Sequence, residues 1–278
     1  MPEGHIIHRL AAENHRAFGG RPVRASSPQG RFADGAKLID GRELVAAEAT
    51  GKHLFLGFGE DAWVHVHLGL YGGFTFGEIG DGPVPAPVGL VRLRLENDEH
   101  VADLRGPNTC ALITGAEKAA VAARLGPDPL RADADPDGAW RRITGSRTTI
   151  AALLMDQKVL AGVGNVYRAE VLFRHGIDPQ LPGRDLRRAE WDAIWADLVA
   201  LMREGVGAGR IDTVRPEHTP EAMNRPPRVD DHGGEVYVYR RAGQPCLVCA
   251  TDVRTEEHAS RNLFWCPTCQ PARATAAR

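Results

Sequence analysis

The chain has 278 residues, 43% of them hydrophobic and 25% charged, with 34 Lys and Arg against 36 Asp and Glu for a net charge of −2. This is enough apolar material for one large core or two smaller ones, and it excludes a uniformly basic nucleic-acid coat: any DNA contact must come from basic groups gathered on one face. No apolar run approaches the ~20 residues of a membrane span and the amino terminus has no apolar signal region, so a cytoplasmic location is expected.

The first expected element is a helix over residues 2–18, with Ile6, Ile7, Leu10, Ala11 and Phe18 on one face and Gly19-Gly20 ending it. Its start has chemical potential. With Met1 removed, Pro2 carries a secondary amine, and an α-amino group with a pKa of about 8 is in part neutral and nucleophilic near neutral pH. Such an amine adds to an aldehyde carbon, and proline's adduct is a tertiary iminium that stays cationic and draws electrons. Glu3, one residue on, can supply a proton. Pro at the first helical position followed by an acid is also ordinary helix-start chemistry, and the four residues alone leave both readings open.

The next hundred residues change period. Stretches 53–58, 62–68, 90–96 and 100–104 alternate or run β-rich, with Gly, Pro and Asp-Gly breaks between them, and predict a β-sandwich or barrel. A helix near 116–125 closes this region, which is expected to span 1–126. The Pro/Asp-rich stretch 127–137 reads as a hinge. Helices follow at 138–144, 148–158, 164–175 and 186–206, then an irregular Gly/Pro-rich loop at 207–235, together a helical domain of 138–235. Val236–Tyr239 reads as a strand leading into a final segment, 236–278, whose small polar tail after Pro271 is expected to fray.

That final segment holds four of the five cysteines. Cys246-x2-Cys249 and Cys266-x2-Cys269, sixteen residues apart, form the tetrathiolate pattern of a zinc ribbon. Four thiolates leave no open position, so one structural Zn2+ is expected and no catalytic metal or redox cofactor. The ribbon would stiffen the 250–265 hairpin, whose Arg254, Arg261 and Asn262 suit a phosphate or a minor groove; a solvated surface charge accounts for Arg261 equally well. Cys110, alone, reads as a small apolar residue. For His65 and His67 a packing or phosphate role is preferred over metal, because no third ligand lies nearby in sequence.

Residues 155–173, MDQKVLAGVGNVYRAEVLF, contain a tight glycine turn at Gly162 and Gly164 that opens a helix at Asn165. Glycines let backbone N–H groups approach an anion, a helix start adds partial positive charge, and the Asn165 amide can donate to the same phosphate. By itself the pattern is also common packing architecture. Glu170, one turn past Asn165, is either a site carboxylate or a solvated one.

Taken together, the N-terminal MPEG, the 155–173 segment and the zinc ribbon resemble, in order and over nearly the whole chain, the formamidopyrimidine-DNA glycosylase/endonuclease VIII family. The resemblance implies an α+β multidomain fold: an N-terminal helix plus β-sandwich, a hinge, a helix–two-turn–helix domain and a C-terminal zinc ribbon. It also implies a bifunctional glycosylase and abasic-site lyase acting as a monomer on damaged double-stranded DNA, with bubble or single-stranded DNA as further substrates. Pro2 then corresponds to the nucleophile at C1′, Glu3 to the general acid, and Lys52 to the lysine that contacts phosphate beside the lesion. Gly162, Gly164 and Asn165 correspond to the phosphate clamp, Arg261 to the zinc-finger arginine, and Leu70 and Tyr71 to residues that fill the hole left by a flipped base.

The chain also departs from the family pattern. Many members begin Met-Pro-Glu-Leu-Pro-Glu, whereas here Ile6 stands where the second carboxylate would be, and Glu170 is a candidate replacement. The MPEG start points to the endonuclease VIII branch and so to oxidised pyrimidines. An 8-oxoguanine- or formamidopyrimidine-preferring glycosylase and a non-catalytic damaged-DNA-binding protein are the alternatives; retention of Pro2, Glu3 and Lys52 together speaks against the second.

Overall fold

The computed structural model describes residues 2–59, 61–80, 82–230 and 234–273; Met1, part of the 207–235 loop and the end of the tail lie outside the described residues. The chain divides into two compact units, Met1–Arg124 and Leu125–Arg278.

The first unit opens with α1 (Gly4–Phe18), followed by β1 (Arg24–Ser26), α2 (Ala33–Ile39), β2 (Leu44–Thr50), β3 (His53–Phe58), β4 (Trp63–His67) and β5 (Gly73–Glu78). Then come β6 (Val91–Glu96), β7 (His100–Arg105), β8 (Thr109–Ile113) and α3 (Gly115–Ala122). The strands form two antiparallel four-stranded sheets, ordered β2-β3-β4-β8 and β1-β6-β7-β5. Alternation sorts their side chains. Leu54, Leu56, Phe58, Val64 and Val66 join Leu93, Leu95, Ala102 and Leu104 in the core, against Ile7, Leu10 and Phe18 of α1. The sandwich is the expected one. Helix α2 was not legible, because its seven residues span less than two full apolar repeats.

The second unit contains α4 (Pro136–Thr144), α5 (Ile150–Met155), α6 (Asn165–Arg174), α7 (Arg188–Ala208), β9 (Arg254–His258) and β10 (Arg261–Trp265). Helix α4 is capped by Asp135, which accepts from the Asp137 N–H at 2.9 Å, and α7 ends at left-handed Gly209. Trp191, Ile194, Leu198, Leu201 and Met202 of α7 enter one core with Leu153, Tyr167, Tyr237, Leu263, Cys246 and Cys266.

The zinc ribbon shares this core through Cys246, Leu263 and Cys266. The stretch 127–137 is built into the second unit: Gly126 N–H donates to Gln157 O at 2.8 Å, Ala161 N–H donates to Pro127 O at 3.0 Å, and Asp128 is buried. Among the described residues no helix is long and apolar enough to cross a membrane.

Candidate active site and nucleic-acid interface

Helix α1 starts at Gly4, so Pro2 and Glu3 stand ahead of it, Glu3 in extended backbone with φ −111° and ψ 178°. Pro2 is half-buried and Glu3 fully buried. The Glu3 carbonyl accepts the first turn's Ile6 N–H at 3.0 Å, while its carboxylate does not cap the helix. Because the face of α1 carrying Ile7, Leu10 and Phe18 is locked in the core, the position of Pro2 and Glu3 is inherited from tertiary packing. His5 beside them is buried, and burial together with the positive amino terminus brings its pKa down to about 4.

Lys52 occupies the two-residue turn between β2 and β3. Thr50 pairs with His53 across it, and Gly51 takes φ +58°, which glycine adopts without strain. At the end of β4 the chain turns through Leu68–Gly72, closed by Gly72 N–H to Leu68 O at 3.1 Å. Gly69 is required there: its φ is +71°, and a Cβ would meet the Asn108 side chain at 2.4 Å. The turn leaves Leu70 44% and Tyr71 92% exposed. Since His53 pairs with His67, the Lys52 turn and the Leu70-Tyr71 turn lie at the same end of the sheet. Sequence alone placed neither beside the other.

Under these turns sit three imidazoles. His53 Nδ1 lies 2.8 Å from His65 Nε2, and the His53 ring centroid is 5.1 Å from those of both His65 and His67. The structure thus supplies the third histidine that sequence proximity lacked, because strand pairing brings residue 53 to residues 65 and 67. Their nitrogens do not converge as ligands; among the described residues the four ribbon cysteines are the one group that does.

In the second unit the glycine turn is stapled by Gln157, which the sequence reading passed over. Its Oε1 accepts Gly162 N–H at 3.0 Å and its Nε2 donates to Val163 O at 2.9 Å, while Gly162 takes φ +87°. Asn165 opens α6 and is buried. Its Nδ2 donates to Asn262 O on β10 at 3.0 Å, and its Oδ1 accepts from Arg168. The fully buried Arg168 also donates to Asn262 O, at 3.2 Å. One amide hydrogen of Asn165 is therefore committed to joining the glycine turn to the strand that carries Arg261. That hairpin is tied again where His258 Nε2 meets the α5 cap Thr149 Oγ1 at 2.7 Å. Arg261 itself is exposed beside the hairpin turn.

Glu170 is not a site carboxylate. It is completely buried, and its two oxygens accept four hydrogen bonds: Tyr237 N–H at 2.7 Å and Thr213 hydroxyl at 2.6 Å on Oε2, Val238 N–H at 2.9 Å and Tyr239 N–H at 2.8 Å on Oε1. The same bonds explain why 236–239 is no strand: its consecutive N–H groups converge on one anion instead of a ladder partner.

The ribbon cysteines fit a metal. Their four sulfurs lie within 4.8 Å of one another, with Cys246 and Cys269 at 3.8 Å and Cys249 and Cys266 at 3.4 Å. Tetrahedral zinc with Zn–S of ~2.3 Å requires edges of about 3.8 Å. The Val248 N–H donates to Cys246 Sγ at 3.4 Å, orienting a ligand as such sites require.

The chain belongs to the formamidopyrimidine-DNA glycosylase/endonuclease VIII family of DNA glycosylases with abasic-site lyase activity, and it carries the ribbon of one structural zinc. Residues 1–110 match the formamidopyrimidine-DNA glycosylase N-terminal domain, residues 125–215 that family's H2TH domain, and residues 243–272 the zinc finger found in FPG and IleRS. Over 97% of its length it is 56% identical to the whole of Endonuclease 8 1 of Mycobacterium tuberculosis. It is 31% identical to Probable endonuclease 8 2 of Streptomyces coelicolor, over 97% of this chain and 94% of that one. The fold is shared with Lactococcus lactis Fpg in complex with DNA containing an abasic site: TM-score 0.75 and 20% identity, covering 97% of this chain and 100% of that one.

Proposed function

We propose that this enzyme removes oxidised bases from DNA, with pyrimidines favoured, through a covalent iminium on Pro2, and then cuts the strand by β,δ-elimination. The observation that carries the reading is the placement of Pro2: half-buried, ahead of a helix locked in the core, with a buried carboxyl group as its neighbour. An amine held this way is pre-positioned for one electrophilic carbon.

In this mechanism the damaged nucleotide leaves the stack at a cost of a few kcal/mol, smaller for a lesion than for a sound pair. Leu70 and Tyr71, projecting from the turn after β4, fill the vacated space. The Pro2 nitrogen attacks C1′ and the base departs with the glycosidic electron pair. Glu3 protonates the ring oxygen as the sugar opens, leaving a Pro2–C1′ iminium. The iminium acidifies C2′; loss of that proton expels the 3′ phosphate oxygen, and a second elimination expels the 5′ one, leaving a one-nucleotide gap. Water then hydrolyses the Pro2 adduct. Lys52 neutralises a phosphate beside the lesion, and the glycine turn with Asn165, together with Arg261 on its zinc-stiffened hairpin, binds flanking phosphates. The zinc supplies rigidity and takes no part in bond making. Glu170, fully occupied, does not replace the carboxylate absent at Ile6.

The test is one gel: thymine-glycol, 5-hydroxyuracil, 8-oxoguanine and abasic duplexes, with and without borohydride. The expected result is cleavage and a trapped protein–DNA adduct, strongest with the pyrimidine lesions and lost in Pro2→Ala or in protein that retains Met1. Absence of cutting and trapping on every substrate, with a processed amino terminus verified by mass, refutes the reading. Trapping by an N-terminally extended protein refutes the role of Pro2.

A further inference from the structure

The His53–His65 contact lies at the root of both turns assigned to DNA, Lys52 immediately before His53 and Leu70-Tyr71 shortly after His67. We propose that His53, hydrogen-bonded to and stacked on His65 and tilted against His67, is a positioning residue that locks the Lys52 turn to the Leu70-Tyr71 turn, so that phosphate contact and base replacement form as one event. The proposal rests on the DNA reading of those two turns.

Three observations support it. First, strand register makes the tie: His53 faces His67 directly and reaches diagonally to His65, bonding the first residue after the Lys52 turn to the strand that leads into the other turn. Second, the bond needs a proton on one nitrogen and a lone pair on the other, so it exists only while at least one ring is neutral. Third, the surroundings oppose charging. Burial is the largest effect on both rings, followed by the neighbouring imidazoles and Arg124, while His67 feels burial and then Lys52. Around the cluster on that face Thr50 lies opposite His53, Thr109 opposite His67 and Ala111 opposite His65. Phe55 stacks on His65 at 4.9 Å. The carboxylate opposite Phe55, Glu48, is already held by Lys118 at 2.7 Å. Two neutral rings sharing a proton therefore form a stiff, uncharged rivet beside Lys52. Protonation of both rings breaks it and puts positive charge beside Lys52 and Arg124.

The experiment uses a duplex with a non-cleavable tetrahydrofuran abasic site and 2-aminopurine beside it, whose fluorescence rises when the lesion flips and its place is filled. Affinity and fluorescence amplitude are measured from pH 7.5 to 4 for the wild type, His53→Phe and His53→Asn. Phe keeps the ring and removes the nitrogen; Asn places an amide close to Nδ1 and does not titrate. Wild type is expected to hold its amplitude from pH 7.5 to about 5 and to lose it as pH approaches 4. His53→Phe is expected to show reduced amplitude at all pH values and affinity about ten-fold weaker, as for loss of one buried hydrogen bond. His53→Asn should restore the neutral-pH amplitude with a flatter acid limb. A general packing role would lower the melting temperature of both variants without this split. Wild-type amplitude and pH profile in His53→Phe overturn the proposal, as does a His53→Phe defect that Asn does not rescue. Failure of the wild type to bind this duplex refutes instead the reading of the turns on which it rests.

Discussion

Replacing Glu170 by Gln changes one atom of a carboxylate that accepts four hydrogen bonds in a dry interior. Each of those bonds loses its charge assistance, on the order of 1 kcal/mol apiece. The new amide also presents hydrogens to two existing donors, and each buried donor left without an acceptor costs about 1–3 kcal/mol. Relief from burying a charge offsets part of this, so the net loss is about 3–5 kcal/mol. For a unit of this size that lowers the melting temperature by roughly 10 °C. Thermal unfolding followed by circular dichroism reads the loss. Hydrogen exchange adds the location, with faster exchange expected at Tyr237, Val238 and Tyr239. Below its melting temperature the variant should still form the Pro2 adduct on an abasic duplex. A Glu170→Gln protein that melts within about 2 °C of the wild type yet no longer cuts would refute the structural assignment and restore Glu170 to the chemistry.

Two further outcomes are expected. His5, His53 and His65 are each brought from 6.5 down to about 4, chiefly by burial. The unfolded chain takes up protons below 6.5 and the folded one does not, so their contribution is complete above 6.5 and is lost as pH falls towards 4. The melting temperature of the first unit should therefore decline across that window, and a flat profile between pH 7 and 4.5 contradicts the burial of these rings. In the zinc hairpin, Ala259 and Ser260 take φ 50° and 59° in a two-residue turn that normally asks for Asn-Gly. Ser260→Gly should stabilise the second unit by about 0.5–1 kcal/mol without weakening DNA binding, read as a higher melting temperature, because a left-handed L-residue costs roughly 1–2 kcal/mol and glycine's entropy returns part of that.

What the sequence determined by itself was whatever depends on neighbours in the chain. Cysteine spacing specified the ribbon, since a two-residue knuckle brings two sulfurs to one metal without help from elsewhere. Period-2 alternation specified the sandwich strands, and Gly162 and Gly164 specified a turn before α6. Proline's chemistry at position 2 is a property of the residue. Tertiary structure decided the rest, because which donor meets which acceptor depends on segments far apart in sequence. Glu170 read as a candidate acid until the N–H groups of residues 237–239 arrived from 67 to 69 positions away. His65 and His67 lacked a partner until the β3–β4 register delivered His53. Asn165 read as a lone phosphate donor until β10 brought Asn262 O against it. The site proposed at Pro2-Glu3 depends on tertiary structure in the same way: the apolar face of α1 behind it is buried in a core that includes strands up to a hundred residues further along the chain.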